Sequence, residues 1–157
     1  MPEPLHTFSD AKAALENIKS YFKMELLPQL LIEGPRTLDS IWANNEYFPG
    51  CDDGSWNAGV YFILNAKSEV IYVGKASNNN SIGRRLDGYF KKQPNDKTQW
   101  QLSAGDGQKF KDLDPTSIAV LVIKDYEFAW LAPAIEEFLI KKLNPPANTV
   151  GKEISGG

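Results

Sequence analysis

Several side chains in this sequence are of the types that work on phosphate esters. Two phenols, Tyr61 and Tyr72, stand in adjoining β-rich runs, the second shortly before Lys75. Adjacent guanidiniums, Arg84 and Arg85, follow, and Glu136 sits at the margin of an apolar helical stripe. A guanidinium offers phosphate oxygens a planar fork of donors that a lysine cannot copy. A carboxylate at an apolar margin loses solvation unless a cation or hydrogen bonds compensate. Its neighbour Glu137 has Lys141 at i+4, the favourable orientation for a surface ion pair, and reads as surface decoration. Hydrolysis of a phosphodiester needs an activated water, neutralisation of charge on the phosphate and help for the leaving oxygen. Taken singly, each of these residues has a plainer reading, as amphipathic strand tyrosines and solvated helix charges.

The elements that would position them follow from local pattern. Runs 60–64 and 70–73 are rich in β-branched and aromatic residues and flank the polar Asn65-Ala66-Lys67-Ser68-Glu69, which predicts a β-hairpin. A turn centred between Ala66 and Lys67 sets Tyr61 opposite Tyr72, with Cβ atoms roughly 4.5–5.5 Å apart. Alternation then puts Tyr61, Ile63, Val70 and Tyr72 on one face, and Val60, Phe62, Leu64, Ile71 and Val73 on the apolar core face. A helix over 81–92 would place Arg85 and Tyr89 on one side and rotate Arg84 away, toward a backbone-phosphate contact.

Gly59-Val60-Tyr61 followed by Tyr72-Val73-Gly74 resembles the paired signature of the GIY-YIG nuclease superfamily. Further matches follow in family order. Gly83-Arg84-Arg85-Leu86-Asp87-Gly88-Tyr89-Phe90 is similar to the segment carrying the family's catalytic arginine. Glu136-Glu137-Phe138-Leu139-Ile140-Lys141 is similar to the helix bearing its metal-binding glutamate, and Asn148, in Asn144-Pro145-Pro146-Ala147-Asn148-Thr149, matches its terminal asparagine. The resemblance spans residues 59–148. It implies a metal-dependent endonuclease hydrolysing DNA phosphodiesters, with Tyr61 as general base or water-orienting group and Glu136 as ligand of one Mg2+ or Mn2+ ion. It places Arg85, rather than Arg84, at the arginine position through its Arg-Leu-x-x-Tyr-Phe context. Tyr72, Lys75 and Asn148 complete the implied catalytic set, Asn148 orienting the substrate phosphate or the tyrosine network. Arg84, Tyr89, Lys91 and Lys92 are the implied nucleic-acid contacts. A free phenol titrates near about 10, so Tyr61 serves as a base at neutral pH only if Lys75, Arg85 or the metal lowers its pKa. A single carboxylate suits a weakly held ion that keeps most of its waters.

Composition bounds the alternatives. With 157 residues, one domain is the default. Cys51 is the one cysteine and His6 the one histidine, so a disulfide framework, a zinc cluster and histidine acid–base chemistry are excluded. No apolar run is long enough to span a bilayer, and MPEPLHTFSD lacks the basic and apolar regions of a secretory signal, so a cytoplasmic chain is expected. The net charge is −3, unusual for a protein that handles nucleic acid. The distribution is uneven: residues 1–58 hold four basic and nine acidic side chains, while 75–110 hold seven basic and three acidic. That asymmetry is compatible with a localised polyanion site.

The expected fold is α/β (α+β), a small three-stranded mixed or antiparallel sheet flanked by helices. Residues 1–58 read as an N-terminal helical extension packed on or beside a catalytic domain over 59–150, with a tail over 151–157. Thr7 to Asp10 has capping-box spacing, and a helix over 8–24 follows. The Glu33-Gly34-Pro35 break ends or kinks that region, and 37–47 reads as a second short helix. The polar stretch 93–114 is too long for a turn, and loops of that length tend to be functional or disordered. A buried strand is predicted over 118–123 and a last helix over 131–143. Trp42, Trp56, Trp100 and Trp130 read as core or rim. Two other functions fit the same residues: a non-catalytic nucleic-acid-binding module on this scaffold, and a protein that engages a partner through its acidic N-terminal region.

Overall fold

The computed structural model describes residues 4–20, 30–51, 57–77 and 80–148. The Thr7 hydroxyl accepts from the Asp10 N–H, and the Asp10 carboxylate accepts from the Thr7 N–H, closing a capping box ahead of helix α1 (Phe8–Lys19). Strand β1 (Leu30–Thr37) leads directly into helix α2 (Leu38–Ala43), which Thr37 caps. Strands β2 (Ala58–Leu64) and β3 (Val70–Ala76) form the expected hairpin. Then come helix α3 (Ile82–Asp87), a small hairpin of β4 (Phe90–Lys92) and β5 (Trp100–Leu102), and a 3-10 turn at Asp106–Phe110. Strand β6 (Ser117–Ile123) and helix α4 (Leu131–Leu143) complete the described fold.

The main sheet runs in the order β1-β6-β2-β3 with antiparallel pairing throughout. The α+β class with helices flanking an antiparallel sheet is thus as the sequence implies. The sheet nevertheless has four strands where three were expected, and the fourth comes from the N-terminal stretch read as helical. The reason is local. Glu33-Gly34-Pro35 does not end an element; it lies inside β1 as an irregularity in the register between Glu33 and Arg36, and pairing with β6 resumes beyond it. The upper part of the predicted first helix, residues 21–24, lies outside the described residues, as do Trp56 and the tail.

Strand β6 is buried at every position, as a central strand with both faces covered must be. One face packs Val60, Phe62, Leu64, Val70 and Val73 against α1 and α4. The other packs Tyr61, Ile63, Ile71 and Val120 against Leu38, Ile82, Leu86, Phe90 and Phe110. The hairpin register differs from the predicted one. The turn sets Leu64 opposite Val70 rather than Glu69, and a bulge between the Ile63 and Leu64 pairs adds a further residue to β3, so Tyr61 stands opposite Gly74 and Ile63 opposite Tyr72. The bulge also exchanges the faces expected for Val70 and Ile71. In the turn, the Asn65 side-chain oxygen accepts from the N–H groups of Lys67 and Glu69, and Ser68 takes a φ of 60°.

Gly59 lets β2 approach β6 closely: a Cβ there would lie 2.0 Å from the Leu121 carbonyl oxygen. Gly59→Ala should therefore destabilise the protein by about 3 kcal/mol or more in urea denaturation, since the obstacle is backbone in the sheet centre. Gly105→Ala, where nothing lies within 4 Å, is the control. Equal midpoints for the two variants would contradict this packing.

Candidate active site

The site is built on the outer strand of the sheet. Gly74 has no side chain, and the Tyr61 ring fills that space: a Cβ on Gly74 would come within 2.2 Å of Tyr61 Cζ and 2.4 Å of its hydroxyl. Tyr61 is fully buried there, with its hydroxyl 2.8 Å from that of Tyr89. The Tyr72 hydroxyl makes a longer contact, 3.5 Å, with the same Tyr89 oxygen. The three rings stand 5.9–6.2 Å apart between centroids. Tyr72 is the half-buried member, while Tyr89 is buried.

Tyr89 does not reach this cluster along the helix. Helix α3 stops at Asp87, with Gly88 as its cap, and the chain turns into β4, whose Lys91 and Lys92 pair with Gln101 and Trp100. The predicted helix over 81–92 is therefore too long by its second half. The glycine at 88 and the cross-strand pairing override the helical pattern of Tyr89 to Lys92.

Helix α3 itself is held firmly. The Ser81 hydroxyl accepts from Arg84 N–H, the Ile82 N–H donates to the Asn57 carbonyl, and Ile82 and Leu86 are fully buried. Arg84 and Arg85 are left on the exposed side. The Arg85 guanidinium interacts with the Tyr61 hydroxyl, the main effect holding its proton more tightly than usual. Lys91 and Lys92 lie elsewhere, lining a groove of about 550 Å³ with Trp42, Phe48 and Lys97.

Glu136 comes from α4, whose following chain crosses the outer edge of β3. The Ala147 N–H donates to the Ile71 carbonyl. Asn148, 7% exposed, accepts from the Val73 N–H through Oδ1 and donates through Nδ2 to the Val73 carbonyl, both at 2.8 Å. Its amide thus completes the edge of β3 on either side of the Tyr72 neighbour and clamps the strand that carries Tyr72 and Lys75. Glu137 is exposed and pairs with Lys141 at 3.5 Å. Glu136 is half-buried and makes no hydrogen bond or ion pair among the described residues.

The electrostatics follow from burial. Desolvation pushes the Tyr61 phenol well above its ordinary value, with Tyr89 and Tyr72 adding to the rise and Arg85 opposing it. Desolvation also raises Tyr72, helped by its contact with Tyr89, while Arg85 again works in the other direction. The Glu136 carboxyl is raised by burial, and Lys75 and Arg85 pull it partly back. Glu136 therefore lies within electrostatic reach of Lys75 and Tyr72 on β3 and of Arg85 on α3. A half-buried carboxylate without a bonded partner, facing two cations and a phenol, fits one weakly held divalent ion. Among the described residues, no group of three or more His, Cys, Asp or Glu side chains could hold a metal by itself.

Sequence reasoning passed over Lys109. Its ammonium lies 4.7 Å from the Tyr72 ring centroid and 5.1 Å from that of Tyr89, and Phe110 beside it is fully buried against both rings at 5.3 Å. The available signal was a cation next to an aromatic in a stretch too long to be a turn. Of the tryptophans, Trp100 donates to Asp39 Oδ1 at 2.8 Å, Trp42 packs edge-on against Phe48, and Trp130 is 62% exposed. Among the described residues no helix is long and apolar enough to cross a membrane.

Two stability measurements test this geometry. Asn148→Ala should cost about 2 kcal/mol, because it strands a buried N–H and a buried carbonyl on Val73; no change in denaturation midpoint would contradict the clamp. For Glu136 the folded carboxyl pKa lies above the unfolded one, so the folded state favours the protonated acid, an advantage lost as pH rises through the folded value. Without added metal, Glu136→Gln should therefore melt at or above the wild-type temperature at pH 7, and the difference should shrink on acidification. A variant that melts lower at pH 7 would contradict the burial argument.

The family model for the UvrC-like GIY-YIG domain matches residues 57–149, more than half of the chain. No curated protein and no solved structure gives a significant match. The GIY-YIG family is one of endonucleases that act on DNA and generally use divalent metals.

Proposed function

Because the chain belongs to the UvrC-like GIY-YIG domain family, we propose that it is itself an endonuclease, hydrolysing DNA phosphodiesters at the Tyr72–Arg85–Glu136 locus. The observation that carries this reading is the electrostatic convergence of Tyr72, Lys75, Arg85 and Glu136 from three separate elements. Ordinary surface charge does not call for a half-buried carboxylate without a bonded partner beside a phenol.

In this reading the scissile phosphate lies against Arg85 and Lys75. Arg85 offers a forked set of donors to its oxygens, and Lys75 adds a point charge. Glu136 is the ligand for Mg2+ or Mn2+. When bound, such an ion supplies Lewis-acid stabilisation of charge on the phosphate and the leaving oxygen. The burial of Tyr61 moves the water-orienting role outward. Its hydroxyl is buried behind Gly74 and shared between Tyr89 and Arg85, whereas Tyr72 is half-buried and lies within electrostatic reach of Glu136 and Arg85. Tyr72, kept protonated by its burial, then orients the attacking water through its phenol oxygen, and the proton that the water gives up passes to a phosphate oxygen or to solvent. Tyr61 and Tyr89 act behind it, fixing its ring. Arg84, exposed on the same helix, contacts the DNA backbone, and Asn148 keeps the strand in register without touching substrate.

Single-turnover cleavage of linear, branched and single-stranded DNA in Mg2+ or Mn2+ tests the assignment. Arg85→Ala and Tyr72→Phe should each slow the cleavage step by about 10²–10³-fold. Tyr61→Phe, which keeps the ring and loses a hydroxyl one step removed, should cost about tenfold. A Tyr61→Phe variant slower than Tyr72→Phe would return the water-orienting role to Tyr61.

A further inference from the structure

The stretch 93–114 is an ordered arm. The Ser103 N–H donates to the Tyr89 carbonyl, and its hydroxyl donates to the Gly88 carbonyl while accepting from the Gly107 N–H, each at 2.8 Å. Those bonds fasten the 3-10 turn to the segment that delivers Tyr89. The turn then inserts Phe110 beneath Tyr72 and Tyr89 and leaves Lys109 exposed above their rings. Lys109 has no carboxylate within 4 Å among the described residues, unlike Lys19 and Lys141, which pair with Glu16 and Glu137. With no hydrogen bond or ion pair to it among the described residues, the Lys109 ammonium keeps its donors free. Because the lysine is itself exposed, its attraction to the rings is weak.

We propose that Lys109 is a phosphate-binding residue for the nucleic-acid strand, contributed by this arm on the Tyr72–Tyr89 side of the site; this rests on the nuclease reading above. Lys75 and Arg85 approach from β3 and α3, so Lys109 supplies a cation from a third element. A strand whose scissile phosphate lies on Arg85 passes a neighbouring phosphate over the Tyr72 ring, where Lys109 meets it. Each phosphate neutralised by a lysine releases condensed counterions, so such a contact has a salt signature that a packing role lacks.

The test is fluorescence anisotropy of a labelled DNA duplex titrated with full-length Glu136→Gln protein over a range of salt concentrations, so that binding is read without turnover. Adding Lys109→Gln should weaken binding about three- to tenfold and reduce the slope of log affinity against log salt by about one. Lys109→Arg should keep both, and Lys67→Gln, in the β2–β3 turn, should change neither. In otherwise wild-type protein, Lys109→Gln should raise KM for cleavage with little effect on kcat. An unchanged affinity and slope for Lys109→Gln would overturn the proposal. So would a loss of affinity at constant slope accompanied by a lower melting temperature, which marks a packing role. Failure of the underlying reading looks different: wild-type protein that cleaves none of the DNA substrates with either metal.

Discussion

The Tyr61 ring lies across the backbone of Gly74, and the remaining geometry of the site follows from that contact. A side chain at 74 would occupy the volume of the phenol, so a glycine there and a tyrosine on the facing strand are one device. Once the ring is laid flat, its hydroxyl is taken out of water and must find partners. It finds Tyr89, which fixes where the chain goes after α3, and Arg85, which orients the exposed side of that helix. Tyr72, two residues before Gly74 on the same strand, then projects beside the cluster as its partly exposed member.

The charges around the cluster are arranged in opposition. Burial drives the phenols and the Glu136 carboxyl toward their neutral forms, while Lys75 and Arg85 draw the carboxyl back and Arg85 opposes the rise at Tyr72. A carboxylate kept short of partners costs stability and gains affinity for an added cation, the usual exchange at functional positions. The sheet is stiffened to bear this. Asn148 closes the outer edge of β3, and β6 is held between β1 and β2 along its whole length. The acidic N-terminal region contributes to the same stiffness: Glu33 accepts from the Gly50 N–H, Asp39 from Trp100 and Asp10 caps α1.

Much of this was legible in the residues themselves. The hairpin, the buried strand near 118–123 and the last helix, whose bounds of 131–143 match the structure, all follow from apolar runs and turn chemistry. The register did not. The turn closes one residue later than its polar pattern suggests, and the bulge, which sets Ile71 and Tyr72 on one face, is a one-residue event that alternation alone cannot locate. Strand β1 was hidden because Gly34-Pro35 reads as a stop, yet an irregular strand tolerates it. The end of α3 was hidden because Tyr89 to Lys92 continues a helical pattern that only pairing with β5 interrupts. Gly74 was visible as part of a tripeptide, but its reason, the ring across it, needed the facing strand. The folded arm carrying Lys109 was the least legible, since its order rests on Ser103 bonding to backbone groups far from it in pattern.

On the proposed reading, Glu136 forms one metal-dependent phosphodiester site with Tyr72, Lys75 and Arg85. Nicking of supercoiled plasmid DNA by wild type and Glu136→Gln, in Mg2+ or Mn2+ and in chelator, measures this most directly when DNA binding is followed alongside. Wild type should nick only with metal, and Glu136→Gln should bind DNA about as well yet nick at least about 100-fold more slowly. A Glu136→Gln protein that nicks at the wild-type rate would contradict the account.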